Sequence, residues 1–422
     1  MTAPISAVRG RRVFDSRGRP TVEAEVEVRG RFLGRAIAPA GASRGTGEVV
    51  DMRDGGRAFG GYGVDRAVGN VNGPIASHLT GADASDQEAI DALLTRLDGQ
   101  DDLGTLGGNA IVAVSMAVAH AAARAADRPL WIYLSGGATV RMPLPEVQVF
   151  GGGAHAGRRV DVQDFMVQPV GARSFADSMT MVAETYAAAG SLMASRGARA
   201  GVADEGGHWP EFASSVEAIE TLVEAIGHGG LRPGTDMVIS IDVAANQLRV
   251  PGGYRLDGHT LDTAGMVETM VSWANAYPIA SIEDPLAEDD ADGFAAVTAA
   301  LGDRVQIVGD DLLVTSARRV AAAAEGCLAN AALIKPNQAG TLSAARAALA
   351  AARRAGWATI VSARSGESED VTVAHMAVGW DAGQIKVGSF SRSERMAKWN
   401  ELLRIEESLG SDARFAGRSV LP

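Results

Sequence analysis

The sequence has very little cysteine and no long apolar run. A single cysteine, Cys327, stands among 422 residues, which excludes an internal disulfide and is typical of a reducing compartment. No apolar stretch reaches the roughly 18 to 20 uninterrupted residues that a membrane-spanning helix needs. The first residues also lack the apolar core of a signal peptide. We therefore expect a cytoplasmic protein that does not bind a membrane.

Positive charge is scarce as well. The chain has 39 Lys and Arg against 51 Asp and Glu, so its net charge is -12 and its pI is near 5.1. An acidic balance of this size argues against nucleic acid or a membrane surface as the main partner. With 46% apolar and 21% charged residues, the chain is expected to be globular and long enough for two domains.

Lysine is rarer still, because only Lys335, Lys386 and Lys398 occur. Two of the three, Lys335 and Lys386, directly follow short apolar runs. Arg does not release its proton in practice, whereas a buried Lys near other cations can approach neutrality. A general base is the role that requires this difference, so the placement predicts a catalytic lysine. The alternative is a chance placement of ordinary lysines.

Short apolar runs between Met237 and Lys386 repeatedly end on a charged residue. Helix-length, Ala-rich segments separate these runs, which predicts buried parallel strands in βα units. The charged residues that end the runs are Asp242, Glu283, Asp310, Lys335 and Lys386. Because catalytic residues of a βα barrel lie at the carboxyl ends of its strands, we expect all five to face one mouth.

The first part of the chain is patterned differently. Residues 21–28 alternate apolar and charged, which predicts an antiparallel strand with one solvated face. Residues 40–47 are too rich in Gly for regular structure and form either a mobile lid or a plain connection. We predict an α/β fold, with a small α+β domain over residues 1–135 and a βα-barrel catalytic domain over residues 136–422.

Three carboxylates at one barrel mouth require a cation. Asp242, Glu283 and Asp310 offer hard oxygen ligands, which suit Mg²⁺, and the sequence has no Cys/His cluster for zinc. Mg²⁺ opposite a lysine predicts removal of a proton next to a carboxylate, because the metal stabilises the resulting enolate. The alternative is three unrelated acids at strand ends.

Eight short motifs occur in order along the chain and carry a family resemblance. They are residues 15–23 (Asp-Ser-Arg-Gly-Arg-Pro-Thr-Val-Glu), 108–111 (Gly-Asn-Ala-Ile), 204–207 (Asp-Glu-Gly-Gly), 281–284 (Ser-Ile-Glu-Asp), 309–311 (Gly-Asp-Asp), 333–338 (Leu-Ile-Lys-Pro-Asn-Gln), 364–367 (Arg-Ser-Gly-Glu) and 402–407 (Leu-Leu-Arg-Ile-Glu-Glu). With these motifs the chain resembles the enolase (phosphopyruvate hydratase) family over nearly its whole length. A lysine base combined with Mg²⁺ is an established arrangement of the enolase superfamily.

The resemblance implies a role for individual residues. Lys335 would remove the C2 proton of the substrate, and Glu205 would assist departure of the C3 hydroxyl. Asp164 takes the position of a family Glu and joins these catalytic residues, while Lys386 would hold the substrate carboxylate. The implied phosphate and substrate ligands are His155, Gln163, Arg364, Ser365 and Arg44. The implied Mg²⁺ ligands are Asp242, Glu283 and Asp310, with Ser43 binding a second Mg²⁺.

The resemblance also implies a small phosphorylated carboxylate as substrate and a homodimer or higher homo-oligomer. The chain nevertheless departs from the family pattern at several positions. Ala363 stands where enolases carry His, Asp164 where they carry Glu, and Arg44 where they carry Thr. Residues 151–153 are Gly-Gly-Gly instead of Asn-Gly-Gly, and residues 208–210 are His-Trp-Pro. The departures gather on the hydroxyl, phosphate and lid side, whereas the proton-abstracting side is intact.

This asymmetry favours an enzyme that still forms an enolpyruvate-type intermediate but treats its phosphoryl or leaving group differently. Carboxyphosphonoenolpyruvate synthase, an enolase-like enzyme of phosphonate natural-product biosynthesis, fits that description because it works on an enlarged phosphonate. The alternative is an ordinary enolase that dehydrates 2-phosphoglycerate to phosphoenolpyruvate in glycolysis.

Overall fold

The N-terminal part of the chain is a three-stranded antiparallel sheet covered by helices, and the computed structural model describes residues 2–42 and 44–422. The alternating segment 21–28 belongs to the central strand of this sheet, which confirms its predicted antiparallel pairing. The elements are β1 (Ile5–Phe14), β2 (Pro20–Val28), β3 (Phe32–Ile37), α1 (Asp65–Asn70), α2 (Ala76–Leu79), α3 (Gln87–Asp98), α4 (Gly108–Ala125) and α5 (Leu130–Ser135).

Helix α4 provides the core of this part. Its sequence is almost free of charge, so nearly all of its residues are buried, as a helix that is apolar on all sides requires. It packs against β2 and β3. On the other face of the sheet, Glu23 and Glu25 of β2 both form ion pairs with Arg11 of β1.

The second part is a closed barrel of eight strands surrounded by helices, in which β16 pairs back to β4. Its strands and an attached hairpin are β4 (Leu144–Gly151), β5 (Asp164–Gln168), β6 (Arg199–Val202), β7 (His208–Pro210), β8 (Val238–Asp242), β9 (Arg249–Val250), β10 (Gly253–Leu256), β11 (His259–Leu261), β12 (Ile279–Glu283), β13 (Gln306–Gly309), β14 (Ala331–Ile334), β15 (Ala358–Ser362) and β16 (Gly383–Ser389). Its helices are α6 (Phe175–Ser195), α7 (Ser215–His228), α8 (Thr263–Ala276), α9 (Ala291–Leu301), α10 (Ala317–Glu325), α11 (Pro336–Ala339), α12 (Leu342–Arg354), α13 (Thr372–Gly379) and α14 (Ser393–Leu409).

The barrel departs from uniform βα alternation near its start. Strand β5 is antiparallel to both β4 and β8, whereas the barrel strands from β8 to β16 are mutually parallel. Only residues 152–163 connect β4 to β5, and they hold a single 3₁₀ turn at Gly153–Ala156. A parallel pair is usually joined by a helix, and this connection contains none, which agrees with the antiparallel direction of β5.

The N-terminal part lies over the carboxyl ends of the barrel strands. The amide of Ser16 donates to the carbonyl of Glu367 at 2.7 Å, and the amide of Val49 donates to the carbonyl of Gln338 at 3.2 Å. Residues from both parts therefore line the barrel mouth. Across residues 2–42 and 44–422, no helix combines the length and the apolar character that crossing a membrane would require.

Candidate active site

One pocket at the barrel mouth brings most of the predicted site residues together. Two residues of the Gly-rich loop, Gly41 and Ala42, form part of its wall. The barrel contributes His155, Gln163, Asp164, Glu205, Asp242, Asp310, Lys335, Ala363, Arg364, Ser365 and Lys386.

Lys386 joins two of the predicted metal ligands. Its Nζ donates to Asp242 Oδ2 at 2.9 Å and to Glu283 Oε2 at 2.5 Å. The two carboxylates face each other because Asp242 and Glu283 are register partners on neighbouring parallel strands. Burial disfavours the ammonium, but Asp242 and Glu283 outweigh it and raise the pKa of Lys386 well above its usual value.

Lys335 forms an ion pair with the third predicted metal ligand, Asp310. Burial disfavours the ammonium of Lys335, but Asp310 outweighs it and the pKa of Lys335 is raised. A carboxylate rather than another cation is the nearest partner of Lys335 here, and the nearly neutral lysine expected from the sequence stays a prediction. Gln338 Nε2 donates to Asp310 Oδ1 at 2.9 Å and fixes that carboxylate.

The donor set of Asp242, Glu283 and Asp310 fits a hard divalent cation. Glu283 is fully buried, and its Oε1 has no hydrogen-bond partner among the described residues. Burial and the neighbouring charge of Asp242 raise the pKa of Glu283 well above its usual value. Carboxylates crowded in this way are stabilised by positive charge, which the two lysine ammonium groups supply here.

Two other groups of potential ligand atoms lie closer together than the predicted three. One combines Asp284, Asp310 and Asp311, and the other combines His155, Asp164 and Glu205. Asp284 is already fixed as a structural residue, since its two oxygens accept the amides of residues 310 and 311. In the second group an imidazole nitrogen of His155 is taken up by Asp164. Asp242, Glu283 and Asp310 do not form such a close group among the described residues, so their role as metal ligands stays a prediction.

The acid side of the pocket is an imidazole between two carboxylates. His155 Nδ1 lies 3.0 Å from Asp164 Oδ1, and its Nε2 lies 3.8 Å from Glu205 Oε1. Burial lowers the pKa of His155, but the two carboxylates outweigh burial and raise the pKa to about 9. Asp164 also accepts a hydrogen bond from Gln148. Gln163 Nε2 donates to Asp242 Oδ2 at 3.0 Å, which links this side to the predicted metal ligands.

The predicted phosphate ligands Arg364 and Ser365 follow β15, the strand next to that of Lys335. Arg364 is held by Glu48 of the N-terminal part, with guanidinium–carboxylate distances of 3.0 and 3.2 Å. Ser365 Oγ lies 3.4 Å from Arg17 Nη1. The buried Arg395 of α14 donates to the carbonyls of residues 364, 365 and 387. These hydrogen bonds fix the backbone that carries Arg364 and Ser365.

Among the described residues, Arg44 and Glu283 are predicted site residues that do not line this pocket. Arg44 is at the rim of the mouth and does not line the pocket, because its Nη2 donates to the carbonyl of Val49 at 2.9 Å and its Nε lies 3.9 Å from Glu48. Ser43 lies outside the described residues. Ala363 does line the pocket, between the end of β15 and Arg364.

Sequence reasoning missed several residues that shape this site. Glu48 binds Arg364, Gln148 binds Asp164, and Glu146 is buried beside Lys386. A signal was available for two of them, because residues 144–150 read Leu-Pro-Glu-Val-Gln-Val-Phe. Polar side chains at every second position of an otherwise apolar run point to one face of a strand, here the barrel interior.

Comparisons with known proteins agree with this architecture. Residues 139–422 match the family model described as "Enolase, C-terminal TIM barrel domain", and residues 5–134 match "Enolase, N-terminal domain". A protein named "Enolase" from Acidothermus cellulolyticus is 46% identical over 420 residues, which cover 100% of this chain and 98% of that protein. The chain belongs to the enolase family.

Proposed function

We propose that this protein is an enolase that dehydrates 2-phosphoglycerate to phosphoenolpyruvate with Mg²⁺. One observation carries the proposal: Lys335 and Glu205, the implied base and acid, line a single pocket with Asp242 and Asp310. A full-length relative that is named enolase and is 46% identical supports the same activity. The earlier preference for a phosphonate-processing relative has no such support.

The proposed reaction assigns one task to each lysine. Lys335 Nζ accepts the C2 proton, for which a lysine is suited because it can exist as a neutral amine, whereas Arg cannot. Lys386 stays an ammonium and binds the substrate carboxylate, a role that matches its raised pKa. The two groups therefore differ in charge during the reaction, although only β15 separates the strands that carry them.

The acid side of the proposed reaction uses residues of the β4–β5 connection and the β6–β7 hairpin. Glu205 donates the proton to the departing C3 hydroxyl. His155 lies between Asp164 and Glu205, so a positively charged imidazolium stands beside two carboxylates. Arg364 and Ser365 bind the phosphate, and Gln163 supports the substrate from the side of Asp242.

Asp242, Glu283 and Asp310 would hold the principal Mg²⁺, and we keep Ser43 as the proposed ligand of a second one. Bound there, the metal would supply positive charge to stabilise the enolate and would draw on Asp310, the present partner of Lys335. We further propose that the domain boundary lies at residues 135/136, where α5 ends, and that the protein forms a homodimer.

A second candidate function follows from Ala363. Its side chain is a single methyl group in the pocket wall next to Arg364, where the resemblance would place an imidazole. The smaller side chain leaves room for an enlarged anion, and Arg44 stands at the rim with a guanidinium fork that suits such a group. An enolase-type enzyme for a larger phosphonate, of the carboxyphosphonoenolpyruvate synthase kind, would use both features.

A spectrophotometric assay of phosphoenolpyruvate formation from 2-phosphoglycerate separates the two candidates. We expect turnover with Mg²⁺ in the ordinary enzyme range of roughly 1 to 10³ per second. Turnover that is absent at saturating substrate, together with exchange of the α-proton of a phosphonate analogue with solvent, would contradict the first candidate and support the second. Loss of both activities would contradict both.

A further inference from the structure

Glu146 is a fully buried carboxylate that the proposed reaction does not use. It lies on β4 with 1% of its surface exposed. Its Oε1 accepts a hydrogen bond from the hydroxyl of Ser240, whereas its Oε2 has no hydrogen-bond partner among the described residues. A buried carboxylate with an open oxygen is costly unless nearby positive charge compensates it.

That positive charge is the ammonium of Lys386. Glu146 and Lys386 are register partners where β16 closes the barrel against β4. Burial raises the pKa of Glu146, and Lys386 is the strongest opposing influence. The carboxylate of Glu146 and the ammonium of Lys386 therefore attract each other. Lys386 Nζ is nevertheless hydrogen-bonded to Asp242 and Glu283 in this structure.

This arrangement sets up a competition for the strand-end carboxylates. A divalent cation at the proposed site requires the same carboxylates, Asp242 and Glu283, that now bind Lys386. An ammonium that loses both of them needs another partner in the barrel interior. Asp164 Oδ2 is 4.0 Å from Lys386 Nζ and, like Glu146 Oε2, has no hydrogen-bond partner among the described residues. The charge of Asp164 is already shared with His155, however, which pairs with its other oxygen. Glu146 accepts only from the uncharged hydroxyl of Ser240, so it is the neighbouring carboxylate with the greater need of a cation.

We propose that Glu146 is a positioning residue, which holds the ammonium of Lys386 in the barrel wall when a divalent cation takes up Asp242 and Glu283. The inference rests on the proposed metal site and extends it. Without Glu146, Lys386 would remain with Asp242 and Glu283 and would compete with the metal for them. Glu146 thus permits a cation and a substrate-binding ammonium to share one barrel mouth.

Calorimetric titration of the full-length protein with Mg²⁺, without substrate, tests this directly. We would measure the wild type, Glu146→Gln, Lys386→Met and the double variant. Glu146→Gln should weaken Mg²⁺ binding in the wild-type background by about tenfold more than in the Lys386→Met background, a coupling within the range found for interacting residues. A direct electrostatic attraction between Glu146 and Mg²⁺ would be lost equally in both backgrounds. The difference between the two changes in Mg²⁺ affinity therefore measures the effect that Glu146 has through Lys386.

Equal weakening in the two backgrounds, or none in either, would overturn the proposal. A wild type that binds no Mg²⁺ would instead contradict the proposed function. Asp91→Asn is a matched control, because Asp91 is also a buried carboxylate with a raised pKa but lies on α3, away from the barrel mouth. It should leave Mg²⁺ affinity unchanged.

Folding of each variant would be checked by circular dichroism. If Glu146→Gln does not fold, Glu146→Asp provides the second test, since it keeps the charge but shortens the side chain. It should weaken Mg²⁺ binding in the wild-type background and not in the Lys386→Met background. An unchanged affinity for Glu146→Asp in the wild-type background would count against the proposal.

Discussion

His375 should make the stability of this protein sensitive to mild acid. It lies on α13, almost fully buried, with its ring 6.2 Å from that of His120 on α4 and nearly perpendicular to it. Its Nε2 is 3.4 Å from Glu401 on α14. Burial, reinforced by His120, lowers the pKa of His375 to about 4. The pair therefore packs the N-terminal part on the barrel as neutral imidazoles.

The size of the effect follows from the two pKa values. Above pH 6.5, the ordinary value for His, the side chain is neutral in the folded and unfolded states and adds no pH dependence. As the pH falls below 6.5, the unfolded state binds a proton that the folded state rejects. Each pH unit then costs about 1.4 kcal/mol of unfolding free energy, so the loss at pH 5 is about 2 kcal/mol.

Urea unfolding at pH 7.5 and pH 5 measures this loss. His375→Gln removes the titrating group, so its change in unfolding free energy between the two pH values should be smaller than that of the wild type by about 2 kcal/mol. Packing lost in the variant is present at both pH values and cancels in this difference. His259→Gln, at an exposed position on β11, serves as the control. An identical pH dependence in His375→Gln and wild type would refute the argument.

Three further substitutions test the site itself. Lys335→Arg should abolish exchange of the substrate α-proton with solvent while Mg²⁺ binding, followed by calorimetry, changes little; substantial residual exchange would reduce Lys335 to an electrostatic role. Restoring Ala363→His should raise the rate of phosphoenolpyruvate formation if Ala363 limits it, and an unchanged kcat and KM would show that the methyl group is tolerated. Arg395→Met removes three hydrogen bonds to backbone carbonyls, so it should lower the unfolding free energy by roughly 2 to 4 kcal/mol and raise the substrate KM by loosening Arg364. If the Arg395→Met variant is destabilised but keeps a normal KM, the hydrogen bonds of Arg395 stabilise the fold without affecting phosphate binding.

The sequence predicted the proton-abstracting side of the pocket well, for a physical reason. Asp310 and Lys335 directly follow buried strands, and Asp242 is the last residue of one. Lys386 lies within β16, which continues to Ser389. The carboxyl ends of parallel strands must meet at one mouth. Asp242, Asp310, Lys335 and Lys386 consequently line the pocket together. In this half of the barrel, the apolar pattern of each strand alone indicates where its carboxyl end lies. Each strand can therefore be placed without knowledge of the strands beside it.

The remaining features depended on contacts between distant segments. Glu48 reaches Arg364 from the N-terminal part, and nothing in the sequence near either residue indicates the other. The ion pair of Lys335 with Asp310 is also non-local, and it raises the pKa of Lys335. The antiparallel direction of β5 was also not predicted, because nothing in the sequence analysis showed that the connection from β4 contains no α-helix.

The pairing of β16 with β4 has a consequence for the order in which the barrel folds. The strands that carry Glu146 and Lys386 lie at opposite ends of the barrel's chain, so bringing them together carries the largest loop-closure entropy of any strand pair in the barrel. The neighbouring pair β4–β5 has a short connection and can form early, which gathers His155 and Asp164 first. Contacts between segments far apart in the chain slow folding. Closure of β16 against β4 therefore comes late and brings Lys386 beside Glu146. A partly synthesised chain that ends before β14 carries the acid side of the pocket without Lys335.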